Sequence, residues 1–139
     1  MTPRQIRLVK DSFETAAPHR DRLAAIFFVE LFAREPALRR LFDEVPSRRA
    51  ELFYGLAAVI ASLDRLYPIL PALEWLAIRN ARRGVGERQY AAAGEALLAA
   101  LEAGLGDAFT PELREAWIGA RRMIVRLMVQ AAADEPLAA

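Results

Sequence analysis

Ile26-Phe27-Phe28-Val29-Glu30-Leu31-Phe32-Ala33-Arg34-Glu35-Pro36, closely followed by Leu41-Phe42-Asp43, is the stretch on which the fold turns. With Leu23 before it, the apolar residues Ile26, Phe27, Leu31 and Phe32 recur at the steps of a helix that buries one broad face. The spacing predicts a helix over 19–34. Pro36 then opens a short helical turn that ends in Leu41-Phe42-Asp43.

The same punctuation governs the chain on both sides. Upstream, Thr2-Pro3-Arg4-Gln5 is a helix start: Thr2 can cap, Pro3 suits the first helical position, and Gln5 completes a capping box. That helix carries Ile6, Val9 and Phe13 and should stop near Ala17, because Pro18 disfavours helical geometry in the residue before it. Downstream, a connection around Pro46 leads to a predicted helix over 47–66, with Leu52, Leu56, Val59, Ile60 and Leu63 on one side. Tyr67-Pro68 breaks it. A helix over 71–83 points Leu73, Leu76 and Ala77 inward and ends at Gly84. Another spans 87–103 and stops at Gly104-Leu105-Gly106. Thr110-Pro111 repeats the cap-plus-proline start of a last helix that runs to about Ala133.

Long β-branched runs are missing, so strands have little support. The expectation is a single all-α domain over 1–139, built of six to eight helices. A chain of 139 residues, 55% apolar and 27% charged, suits one folded domain and excludes disorder. With 19 basic and 18 acidic residues the net charge is +1, which gives no general reason to bind nucleic acid. The basic clusters at Arg39–Arg40, Arg48–Arg49, Arg79–Arg83 and Arg121–Arg122 are short and mixed. They read as solvated helix surface or as contacts to propionate-type anions. Zero cysteines exclude disulfides and thiolate chemistry. The apolar stretches are too short for a bilayer and the chain opens on a helix cap, so no membrane partner and a cytoplasmic location are expected.

The order of these elements, with Pro68-Ile69-Leu70-Pro71, Gly84-Val85, Gln89-Tyr90, Gly94-Glu95-Ala96-Leu97-Leu98, Leu105-Gly106-Asp107-Ala108 and Ala116-Trp117, resembles the bacterial globins: single-domain bacterial haemoglobins and the globin domain of flavohaemoglobins. The resemblance covers nearly the whole chain. It implies a globin fold around a haem-type pocket, haem b as cofactor, and O2 or NO as gaseous ligands. Flavohaemoglobins oxidise NO with electrons from an attached reductase. No reductase segment is found in this sequence, so the expectation is a protein that is not an enzyme.

Residue by residue, the resemblance places Phe42 as the aromatic that wedges the haem and Leu52 as the apolar residue above the iron. Trp117 is the packing aromatic of the last helix. The proximal histidine falls at Asn80, and a neutral amide is a poor ligand beside imidazole, thiolate, thioether or phenolate. The distal tyrosine falls at Phe28, the proximal-side glutamate at Ala132 and the distal glutamine near Arg48. Tyr90 stands where the family hydrogen-bonds its proximal histidine.

The remaining candidates have plainer readings. His19, the one histidine, belongs to the junction of the first two helices. Tyr90 could ligate ferric iron as a phenolate with Arg79 or Arg82 near, but reads first as a core tyrosine meeting a backbone group or Asn80. Met123 and Met128 read as core fillers. Tyr54 and Tyr67 read as packing residues. The carboxylates form no acid/base pair, and no glycine-rich phosphate loop is present.

Two functions remain open. One is a haem-free or weakly haem-binding globin domain with a regulatory or interaction role, its pocket collapsed or filled by a small apolar ligand, as a homodimer or with a protein partner. The other is a haem-binding globin with unusual axial ligation that binds or senses O2, NO or another small ligand. Dioxygenase or peroxidase chemistry has the least support.

Overall fold

The computed structural model describes residues 1–133, which form seven α-helices and three short 3-10 segments. Among the described residues there is no strand. The first helix, α1 (Pro3–Ala16), starts as the capping box requires: the Thr2 hydroxyl accepts from the Gln5 N–H at 3.1 Å and the Gln5 amide oxygen accepts from the Thr2 N–H at 2.9 Å. A 3-10 turn over Ala17–His19 carries Pro18 into α2 (Arg20–Arg34) and α3 (Leu38–Glu44).

The next helix, α4 (Arg48–Ala61), is shorter than the periodicity predicts. Apolar spacing persists through Leu63, which is buried, but the backbone after Ala61 turns through Ser62 and closes on Val59 and Ile60. Apolar periodicity reports which residues face the core, and a tight turn can meet that demand as well as a helix. A second 3-10 turn, Tyr67–Ile69, leads into α5 (Leu70–Arg82). Gly84, with φ of 84°, then reverses the chain in a conformation that disfavours residues with a Cβ. The sixth helix, α6 (Glu87–Leu105), runs two residues beyond the expected end and stops at Gly106, which also has positive φ. The last, α7 (Pro111–Ala133), begins where the Thr110 hydroxyl accepts from the Leu113 N–H at 3.2 Å.

Packing sets α2 on α6, and α1 and α5 on α7. The main core joins Val9, Phe27, Leu31, Ala96, Leu101, Ala116 and Trp117, all nearly inaccessible. Ala92, Ala96 and Ala100 of α6 and Ala116 and Ala120 of α7 are buried in this core. Trp117 is anchored by its indole N–H, which donates to the Ser12 hydroxyl at 2.9 Å, while that hydroxyl donates to the Val9 carbonyl. A second, smaller cluster of Val59, Leu73, Ala77 and Met128 ties α5 to α7. Between the two clusters the packing stays open.

Tyr54 and Tyr67 do not pack, contrary to the sequence reading: their relative exposures are 68% and 85%, and Trp75 on α5 is 61% exposed. Helical spacing cannot separate an exposed aromatic from a buried one when the helix is apolar on several sides. No helix among the described residues is long and apolar enough to cross a membrane.

Candidate functional site

A cavity of about 260 Å³ lies between α4 and α5 and reaches inward to α2, α6 and α7. Its walls are apolar, from Phe27, Leu31, Leu52, Leu56, Leu76 and Leu97 down to Trp117 and Met128. Of the residues singled out in the sequence, Phe42, Arg48, Leu52, Asn80 and Tyr90 line it together although they come from four different helices. Phe28 does not. Its ring meets Phe27, Phe42 and Phe53 at centroid distances of 5.0, 5.1 and 5.9 Å, and the Arg49 guanidinium covers its face at 5.0 Å. Its neighbour Phe27 presents to the cavity instead, because adjacent helical residues point about 100° apart and the α2 axis is turned toward Phe27 and Leu31.

At the wall shared by α5 and α6 the Asn80 amide donates to the Tyr90 hydroxyl at 3.0 Å. Burial pushes the Tyr90 phenol above its ordinary range, and the Asn80 hydrogen bond only partly opposes this. The phenolate is therefore disfavoured. Gln89 also lines the cavity, with its amide oxygen accepting from the Gly86 N–H at 2.9 Å, which fixes the start of α6. Ala132 is half-buried in the α5–α7 cluster. His19 is exposed and does not line the cavity.

Arginines that the sequence offered as solvated helix surface or as contacts to propionate-type anions form one rim. Arg48 comes from the start of α4, and Arg79 and Arg83 from the end of α5 and the residue after it. The Arg83 guanidinium is pushed below its usual range, first by burial and then by the positive charges of Arg48 and Arg79, with Glu51 and Glu44 acting the other way. The Arg48 side chain reaches back to the Leu41 carbonyl and to Glu44 at 3.8 Å, yet its Nε is buried without a hydrogen-bond partner. Arg79 lies 5.1 Å from the Trp75 ring centroid. Arg121 also lines the cavity, from α7, its stem lying across Gly94 of α6. The signal was a cluster of basic residues at one helix end. What sequence alone could not supply was the fold that brings Arg48 to the same edge.

Haem, which the resemblance implies, fits this cavity in one respect and fails in another. The arginine rim suits propionates. The walls offer no imidazole or thiolate, the phenol is held neutral, and 260 Å³ lies below the span of about 300–1,000 Å³ usual for ligand pockets. Iron ligation of the ordinary globin kind does not fit.

No protein-family model matches the chain. A flavohaemoprotein of Bordetella parapertussis is 29% identical over 133 residues, which cover 93% of this chain and 33% of that protein. Neuroglobin of Danio rerio is 27% identical over 138 residues, covering 88% of this chain and 87% of the relative. A solved structure of an engineered carbene transferase, assigned as a nitric oxide dioxygenase from Rhodothermus marinus, superposes with a TM-score of 0.83 at 28% identity, covering 96% of this chain and 94% of that one. This chain has a globin fold.

The chain spans about a third of the length of the flavohaemoproteins it matches. The expectation that the protein is not an enzyme is corrected by these relatives, one of them assigned as a dioxygenase. That expectation rested on the lack of a reductase segment and of a complete catalytic constellation, neither of which decides the matter for a chain that matches a third of its relatives' length. The globins as a family bind haem and gaseous ligands such as O2 and NO.

Proposed function

We propose that this globin domain holds its ligand by apolar burial and arginine contacts in place of a histidine–iron bond, and that haem binds it weakly. Asn80 takes the proximal position in this reading, and occupancy of the cavity regulates the domain or its docking to a partner through α4 and α5, the helices that border it. The observation that carries the reading is the Asn80–Tyr90 pair: the amide donates to the hydroxyl, and the chain's one histidine lies elsewhere. A second reading, haem held by an unusual axial ligand with O2 or NO chemistry like that of the relatives, is favoured by the identity to flavohaemoproteins and by Met128, a thioether on the cavity wall.

Haem titration of the unaltered chain and of Asn80→His tests the proposal. The unaltered chain should bind weakly, without the ferrous spectrum of a histidine-ligated globin. Asn80→His should tighten binding and bring that spectrum in, since Tyr90 remains to orient the imidazole. Asn80→Ala should change affinity little. Tight stoichiometric binding by the unaltered chain, lost in Met128→Leu, would establish the second reading instead.

A further inference from the structure

The cavity joins a long apolar interior to a rim that carries three guanidiniums, Arg48, Arg79 and Arg83, with the carboxylates of Glu44 and Glu51 close by. Arg83 makes no ion pair among the described residues, and Arg48 keeps a buried Nε without a partner. Cations left in this state beside an apolar void call for an anion, because a partly desolvated guanidinium gains most from a hydrogen-bonded counter-charge. With Arg121 also on the cavity wall, the cations outnumber the carboxylates of Glu51 and the nearby Glu44, and the positive balance suits an anionic head group.

We propose that the cavity binds a medium-chain aliphatic carboxylate, its tail in the apolar interior and its head group on Arg48, Arg79 and Arg83. This names the ligand class for the site proposed above and rests on that reading. The interior sets the tail length. A methylene is close to a water molecule in size, about 30 Å³, so the space of 260 Å³ takes roughly nine carbons. Trp117, on the cavity wall, reports the tail, and Trp75, under Arg79, reports the head.

The test is titration of the purified full chain, stripped of bound lipid, with decanoate, decanol, methyl decanoate and hexadecanoate below their micellar concentrations. Binding is followed by tryptophan emission and calorimetry. Decanoate should saturate with one site per chain, and the two uncharged analogues should bind about tenfold more weakly or worse, the usual loss when a charge-assisted hydrogen bond is removed. Hexadecanoate should bind more weakly than decanoate. Arg83→Leu should reduce decanoate affinity about tenfold and leave decanol unchanged. Equal affinity for decanoate and decanol in the unaltered chain would overturn the proposal without recourse to any variant, as would the lack of saturable decanoate binding by folded protein. If haem binds weakly and decanoate fails, the ligand class alone is wrong. If haem binds tightly and displaces decanoate, the underlying reading of the site falls with it.

Discussion

The side-chain amide of Asn80 donates to the hydroxyl of Tyr90 across 3.0 Å, tying the last turn of α5 to the first turn of α6 over the Gly84 loop. The pair makes a neutral, hydrogen-bonded stretch of the cavity wall, and the function proposed above takes Asn80 as its proximal position.

The protonation of Tyr90 gives a pH test. Its phenol is pushed up by burial, so the folded chain holds the proton more tightly than the unfolded chain, whose tyrosine titrates near 10. The stability this contributes is fully present below about pH 10 and is lost as pH rises through the folded value. Urea midpoints measured from about pH 9 to 11 should therefore fall more steeply for the unaltered chain than for Tyr90→Phe. Parallel slopes would mean that Tyr90 is solvated in both states.

Phe28→Tyr separates the two ways of reading α2. If residue 28 faced the cavity, a hydroxyl there would meet solvent or ligand and be tolerated. The ring instead sits at 4% exposure among Phe27, Phe42 and Phe53. A hydroxyl placed there lacks a partner, and the expected loss is about 1–3 kcal/mol in denaturant unfolding, with no gain in ligand affinity. Unchanged stability would return residue 28 to the cavity wall.

Helix starts were the most legible part of the sequence, because a cap is a local device. Thr2 with Gln5, and Thr110 with Pro111, act within a single turn and need no tertiary context. The end of α4 was misread because Leu63 is buried from a turn as well as it would be from a helix. At the site, Asn80 and Tyr90 were legible through the resemblance, since both flank one short loop. The Arg48–Arg79–Arg83 rim was not, because charge repulsion among residues from α4 and α5 exists only after folding. Phe28 and Phe27 differ by one position, and a small rotation of α2 decides which of them meets the cavity.

Trp117 and Ser12 should behave as a coupled pair. Ser12 is 8% exposed and Trp117 is 2% exposed, so Ser12→Ala leaves a buried indole N–H unpaired at an expected cost of about 1–3 kcal/mol. Trp117→Phe loses packing as well. The double variant should be more stable than the sum of the two single losses implies, because the same hydrogen bond is removed only once. Strict additivity in urea unfolding would show that the bond contributes little.

Gly94 and Arg121 offer a test by change of sign. Glycine inside a helix such as α6 costs about 0.5–1 kcal/mol relative to alanine, so Gly94→Ala would ordinarily stabilise. Here a Cβ on residue 94 would stand 2.3 Å from Arg121 Cδ and 2.5 Å from its Cγ. Those atoms lie mid-way along the side chain, so the whole stem must shift out of the groove that the glycine leaves. Overpacking of this kind typically costs about 1–3 kcal/mol, enough to outweigh the gain in helix propensity. Gly94→Ala should therefore destabilise the unaltered chain. In an Arg121→Ala background the obstruction is gone, and the same substitution should stabilise by up to about 1 kcal/mol. Thermal or urea unfolding of the four proteins reads both signs. If Gly94→Ala stabilises in both backgrounds, the Arg121 stem moves aside freely and the close approach of α6 and α7 does not depend on a missing Cβ.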